Sequence, residues 1–231
     1  MAPPEDNPPG SGQESDLGLR ILSALVLAPA VLATVYAGTP YFEILIVVAA
    51  LVMAWEWRRV CYGTNKGRIY WLLAGQVYIL LPCLALLHLR ALPEIGMQSI
   101  FWLLAVVWAS DTGGYAFGRA IGGPKLAPTI SPNKTWSGLF GAVLLAGVAG
   151  LLTALALGKD TIVPLAAWSA AIGAVSQAGD LLESWVKRYF GVKDTGTIIP
   201  GHGGLLDRVD GLLAAAMAVA FLEAAVKSSI L

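Results

Sequence analysis

Charge is what this sequence has least of. Only 13% of its 231 residues are Asp, Glu, Lys or Arg, against about a quarter in an ordinary soluble domain, and the mean hydropathy is +0.70. A soluble globular domain is excluded, and the chain reads as an integral membrane protein. Histidine and cysteine are sparse too, two of each. His88 sits in an apolar run and reads as structural. Cys61 and Cys83 fall in different surroundings and no zinc spacing exists, so neither a disulfide nor a zinc centre is expected. The motif G-x-x-x-x-G-K-[ST] is absent, which excludes a P-loop. No internal repeat is visible. The formal net charge is zero, so whole-molecule charge points to no partner, and nucleic acid is not expected.

Basic residues are missing from the first sixteen positions, which hold four prolines and four acids. That composition excludes a basic signal-peptide start and predicts a disordered cytosolic tail over 1–16.

What the sequence has in quantity is apolar runs. About 20 residues are needed to cross hydrocarbon as a helix, and seven stretches qualify as candidates: 17–36, 41–57, 70–89, 99–117, 136–157, 162–182 and 204–226. Backbone hydrogen bonding in lipid makes them helices, so the expected fold is an all-α polytopic bundle. It divides into N-terminal transmembrane helices (17–97) and a catalytic transmembrane region (98–231). If the spans alternate, twelve of the fifteen Lys and Arg residues share the side of the N-terminus, which the positive-inside rule makes cytoplasmic. The loops 118–135 and 183–203 then emerge on one face and can build one site.

The scarce charges are concentrated there. Asp111 interrupts an apolar helix, and with Gly114, Tyr115 and Gly118 it follows the i, i+3, i+4, i+7 spacing of one face. Packing explains the glycines, but a ligand or catalytic role explains Asp111 better. The next loop offers Arg119, Lys125, Ser131 and Lys134 among glycines and prolines, the hydroxyls and mobile amines that polyphosphate binding uses; the alternative is plain positive-inside topology. The sixth run continues to Lys187 without a helix breaker, so Asp180, Glu183, Ser184 and Lys187 line one stripe. Acids near a helix C-terminus oppose the macrodipole, and a bound cation would account for them. Beyond Gly201-His202-Gly203-Gly204, Asp207 and Asp210 lie three apart on the next helix. Capping explains one of them. With Asp180, the pair supplies hard oxygen donors suited to Mg2+.

At this point the sequence resembles the phosphatidate cytidylyltransferase (CDP-diacylglycerol synthase) family, whose signature is S-x-x-K-R-x4-K-D-x-G-x2-[LIF]-P-x-H-G-G-x-x-D-R-x-D. Ser184, Lys187-Arg188, Lys193-Asp194, Gly196, Ile199-Pro200, His202-Gly203-Gly204, Asp207-Arg208 and Asp210 supply every element. Asp111-Thr112-Gly113 and Ser131-Pro132-Asn133-Lys134-Thr135 look like a second block. The resemblance implies condensation of CTP with phosphatidate at a cytoplasmic-facing site in a bacterial inner membrane, giving CDP-diacylglycerol and pyrophosphate. It implies a divalent metal, Mg2+ or Mn2+, and allows a second, monovalent cation such as K+ and a homodimer. The expected metal ligands are Asp180 and Asp207, with Asp210 and Asp111 beside them, and Asp180, Lys187, Asp207 and Asp210 form the expected catalytic set. Lys125, Lys134 and Arg208 would hold the triphosphate with Arg119 and Ser131 nearby. Ser184, Lys187 and Arg188 would engage the lipid phosphate, and His202 would shape the pocket.

Two other readings compete. Asp207-x-x-Asp210-Gly211-x-x-Ala214 opens like the motif of the CDP-alcohol phosphotransferases, but Ala215 stands where an Arg should follow and the later acids are missing. An ion-coupled transporter would place its charges near the membrane midplane and show repeat symmetry, whereas these gather at one surface.

Overall fold

The computed structural model describes residues 11–62, 68–199 and 203–226. Seven helices carry it: α1 (Ser11–Ala37), α2 (Tyr41–Tyr62), α3 (Arg68–Ala91), α4 (Gly96–Ala120), α5 (Trp136–Ala156), α6 (Ile162–Tyr189) and α7 (Leu206–Val226). α1 starts at Ser11, inside the segment expected as a tail, and residues 1–10 lie outside the described part. Four helical stretches are long and apolar enough to cross a membrane, namely Ile69–Ala91, Gly96–Ala120, Trp136–Ala156 and Ile162–Tyr189, and Leu25–Ala37 is a shorter apolar stretch. α2 also carries Glu43, Glu56, Arg58 and Arg59, and α7 carries Asp207, Arg208, Asp210 and Glu223.

Among the described residues the fold departs from all-α at one hairpin and at an isolated bridge between Ile199 and Gly203. Between α4 and α5, where an irregular loop was expected, β1 (Lys125–Ala127) and β2 (Ser131–Thr135) pair antiparallel, with Lys125 opposite Thr135 and Ala127 opposite Ser131. Five residues offer too short a period-2 signal to stand out beside Pro132. Thr135 ends β2 and also caps α5, its Oγ1 accepting from Gly138 N at 3.1 Å. The hairpin is therefore fastened directly to a helix.

Helix ends explain the tight turns elsewhere. α5 stops at Gly158, whose φ is +62°, with Lys159 N bonded to Ala154 O and Gly158 N to Leu155 O. α6 stops in the same manner at Gly191, φ +72°, with Val192 N on Lys187 O and Gly191 N on Arg188 O. Both are Schellman turns, in which glycine takes the left-handed position that a Cβ would strain. The first turn folds α6 back beside α5. The second ends the charged stripe of α6.

α4, α5 and α6 pack in sequence, and α7 lies on α6 and α3. Without a hydrophobic driving force in lipid, helices associate where small residues let backbones approach. Gly113 of α4 meets the Gly141 carbonyl of α5, and a Cβ on Gly141 would come within 2.6 Å of Gly113 O. A Cβ on Gly179 of α6 would come within 2.5 Å of Ala214 Cβ on α7. Two buried polar side chains in this half pair with each other: Trp102 Nε1 donates to Ser169 Oγ at 2.9 Å, and Ser169 Oγ donates to Leu165 O at 2.7 Å. The N-terminal helices use larger side chains. Trp57 of α2 donates to Trp71 O of α3 at 2.8 Å, and the Trp71 ring packs on Trp185, Tyr189 and Phe190 at the end of α6.

Candidate active site

The functional side chains come from the last three turns of α6, the first turn of α7, the loop between them, the end of α4 and the β1–β2 hairpin. Because nothing breaks α6 before Gly191, Asp180, Glu183, Ser184 and Lys187 do share a stripe: Ser184 Oγ donates to Asp180 Oδ1 at 3.2 Å, and Lys187 Nζ pairs with Glu183 Oε2 at 2.6 Å. Two linked clusters grow from this stripe.

The first joins α4, β2 and α6. Lys134 Nζ bridges Asp180 Oδ2 at 2.8 Å and Gln177 Oε1 at 2.9 Å. Gln177 Nε2 in turn donates to Asp111 Oδ1 at 3.2 Å and lies 3.3 Å from Ser110 Oγ. Asp111, Lys134, Asp180 and Ser184, chosen from separate segments, thus meet in one network.

The second joins α6 to the start of α7. Lys187 Nζ also reaches Asp207 Oδ1 at 2.8 Å, and its side chain is only 12% exposed while that of Glu183 is 1% exposed. A buried pair of this kind is costly to leave half-made. Asp207 is heavily engaged. Thr195 N donates to both of its oxygens, at 3.2 and 3.0 Å, and Gly204 N donates to Oδ2 at 2.9 Å. Both oxygens expected to face a metal are occupied by the chain itself, so Asp207 acts as a clamp across the 195–204 loop. Asp210 accepts from Gly211 N at 2.7 Å and lies within electrostatic reach of Asp180, Lys187 and Asp111.

Other candidates sit further out. Arg119 is exposed and donates to Tyr115 OH at 2.8 Å. Lys125 lies exposed on β1, and Ser131 half-buried on β2. Arg188 donates to the carbonyls of Ile130 and Val192, both at 3.3 Å, so it ties the hairpin to the end of α6. Arg208 is the one charged residue lining an otherwise apolar cavity of about 620 Å3 with Phe42, Met53, Trp108 and Val209. His202, with Pro200 and Gly201, lies outside the described residues.

Among the described residues no three His, Cys, Asp or Glu side chains stand close enough to enclose an ion, although Asp111, Asp180 and Asp210 are near enough to repel one another. Mg2+ takes one or two carboxylates and completes its shell with water and phosphate. The residues therefore fit an ion shared with a phosphate ligand rather than a closed protein cage.

Residues 64–225 match the family described as the cytidylyltransferase family. The chain belongs to that family. Among its relatives, the phosphatidate cytidylyltransferase of Brucella suis biovar 1 (strain 1330) is 47% identical over 174 residues, covering 74% of this chain and 61% of that protein. The phosphatidate cytidylyltransferase of Rickettsia bellii (strain RML369-C) is 36% identical over 218 residues, covering 91% of this chain and 92% of that protein. The chain thus spans about three fifths of the Brucella relative and nearly the whole of the Rickettsia one. The family match, residues 64–225, takes in α3 to α7 and both clusters, and the match to the Rickettsia relative extends further, over α2 as well.

Sequence reasoning passed over two residues that the clusters use. Gln177 stands one turn before Asp180 in an apolar helix, and that position on the acidic stripe was a usable signal. Glu56 was legible only as an acid inside an apolar run, between Trp55 and Trp57.

Proposed function

We propose that the protein is a CTP:phosphatidate cytidylyltransferase, acting at one face of the membrane on a water-soluble polyanion and a lipid phosphate. The observation that carries this reading is the signature segment beginning at Ser184, in which Lys187 on α6 meets Asp207 at the start of α7 at 2.8 Å. Membership of the cytidylyltransferase family supports it, as does the apolar cavity beside Arg208, a lining suited to a substrate with hydrocarbon tails. If all seven helices cross, twelve of the fifteen basic residues share one side, which supports a cytoplasmic site in the bacterial inner membrane, the side where CTP is found.

In the proposed reaction a phosphate oxygen of phosphatidate attacks the α-phosphorus of CTP in line. A new P–O bond forms there, the bond from the α-phosphorus to its bridging oxygen breaks, and pyrophosphate leaves. A phosphomonoester has its second pKa near 6, so the nucleophile is already largely ionised and needs no strong base. The barrier is the approach of two anions, and the protein's task is positioning and charge neutralisation. Lys134 and Arg208, with Lys125 and Arg119 at the rim, would receive the triphosphate. Lys134 would exchange Asp180 for phosphate oxygen as it does so. Lys187, held between Glu183 and Asp207, and Ser184 would meet the lipid phosphate.

We assign a divalent metal, Mg2+ or Mn2+, to Asp180 and Asp210 with Asp111 behind them, where it would supply charge neutralisation at the phosphates. Asp207 would join it by giving up one of its present partners, Lys187 or the amides of Thr195 and Gly204. A monovalent cation such as K+ is a second candidate for the same carboxylates.

The test is incubation of the purified protein with labelled CTP, phosphatidate and Mg2+. Formation of CDP-diacylglycerol with stoichiometric pyrophosphate is expected. Absence of product under conditions where the protein is folded would overturn the reading, and release of CMP from CDP-diacylglycerol in the presence of an alcohol would favour a phosphotransferase instead.

A further inference from the structure

We propose that Glu56, on α2 and ahead of the 64–225 stretch that matches the cytidylyltransferase family, is a positioning residue for the site. It is fully buried, 0% exposed. Its Oε1 accepts from Leu205 N at 2.8 Å, its Oε2 accepts from Leu206 N at 2.9 Å, and the Thr195 hydroxyl donates to Oε2 at 3.4 Å. The carboxylate therefore closes the N-terminus of α7, where free amides and the helix dipole favour negative charge. It does so from a helix about 150 residues earlier in the chain.

What Glu56 holds is the part of the molecule that carries the chemistry. Asp207, Arg208 and Asp210 occupy the first turns of α7, directly after Leu206. Thr195 is gripped twice, through its hydroxyl by Glu56 and through its amide by Asp207. The two acids thus tie Thr195 to Gly204, Leu205 and Leu206, and Lys187 is aimed by one of them. α2 itself is fixed in place by Trp57, bonded to Trp71 O and packed on Tyr78 with ring centroids 5.8 Å apart.

Two signature glycines follow from the same carboxylate. A Cβ on Gly196 would lie 2.7 Å from Glu56 Oε1 and 3.2 Å from its Cδ, and all three of its nearest atoms belong to Glu56. A Cβ on Gly204 would strike the Thr195 hydroxyl first and lie 2.8 Å from Glu56 Oε1. Neither glycine has a positive φ, so space for Glu56 at Gly196, and for Glu56 together with the Thr195 hydroxyl at Gly204, accounts for glycine there rather than backbone conformation.

The test is amide exchange and steady-state kinetics on the full-length protein in detergent. In Glu56→Ala the amides of Leu205 and Leu206 should exchange about tenfold faster or more, the scale of a lost helix cap, while α4 and α5 keep their rates. The kcat should fall by a similar factor with a smaller change in the KM for CTP, because geometry rather than binding is lost. Glu56→Gln, which keeps one acceptor oxygen, should lie between wild type and Glu56→Ala. Gly196→Ala should be damaging alone and add little in the Glu56→Ala background, since the atoms it would strike are gone. Unchanged exchange at Leu205 and Leu206, or fully additive effects of Gly196→Ala and Glu56→Ala, would overturn the proposal. The kinetic arm rests on the cytidylyltransferase reading and the exchange arm does not. A wild-type protein that makes no CDP-diacylglycerol therefore counts against that reading, while loop exchange judges Glu56 separately.

Discussion

The half of the bundle formed by α4, α5 and α6 and the half formed by α1, α2 and α3 are built by different means. In the first, glycines bring backbones together, as at Gly113 and Gly141. In the second, bulky side chains such as Trp57, Trp71 and Met53 fill the space between helices. The first half carries Asp111 and Asp180, with Lys134 of the adjoining β2 reaching onto it; the second carries Glu56, which grips Thr195, Leu205 and Leu206 beside the start of α7. The difference teaches that the candidate-site charges are set on or against helices packed backbone to backbone, while the adjoining loop is held from outside by a side chain of the larger-residue half.

That division can be broken at several points, in decreasing order of effect. Lys187→Met should cost the most stability, about 3–5 kcal/mol, because Glu183 is left buried without its partner; thermal unfolding in detergent measures it, and a loss below about 1 kcal/mol would mean that the pair is not buried in the working protein. Asp180→Asn should leave the fold intact and lower kcat by about 10²–10³-fold, on the order of 3–4 kcal/mol of transition-state stabilisation. Asp207→Asn should lose activity to a similar degree and also loosen the 195–204 loop to proteases, a second effect that Asp180→Asn should not share. If both variants stayed fully active, the metal and clamp assignments would fail together.

Gly141→Ala sharpens the packing side of the contrast. Its methyl has only the Phe117 ring and the Gly113 carbonyl to press on, so a loss of about 1–3 kcal/mol is expected from overpacking, read as a lower unfolding temperature. Glu223→Gln should do least. Its partner His88, 3.1 Å away, is 59% exposed, and such pairs contribute about 0–1 kcal/mol, so both activity and melting should stay near wild type.

Much of this was readable in the sequence, and for identifiable reasons. The continuation of α6 to Tyr189 follows from the absence of a breaker before Gly191, and the stripe from Asp180 to Lys187 follows from helical period. The meeting of Asp111, Lys134 and Asp180 was expected from two loops sharing a face. The partners of Asp207 were not readable, because period places a carboxylate on a helix face without saying whether an amide of the preceding loop already holds it. Glu56 was hidden for a related reason. Its bonds span about 150 residues, and a local pattern reports only that an acid interrupts an apolar run. The β1–β2 hairpin escaped because its strands are short and contain Pro132.

That hairpin has a consequence for the tempo of ligand arrival. Lys134 lies next to Thr135, which is tied on one side to Lys125 across the strands and on the other to the first turn of α5. Its backbone has nowhere to go. When the amine of Lys134 leaves Asp180 for another anion, the motion must run through its own four side-chain torsions, a rotamer change of the picosecond-to-nanosecond class rather than the microsecond-to-millisecond swing of a lid. Capture at this position should then be limited by diffusion and by the breaking of one ion pair, with no slow gating phase.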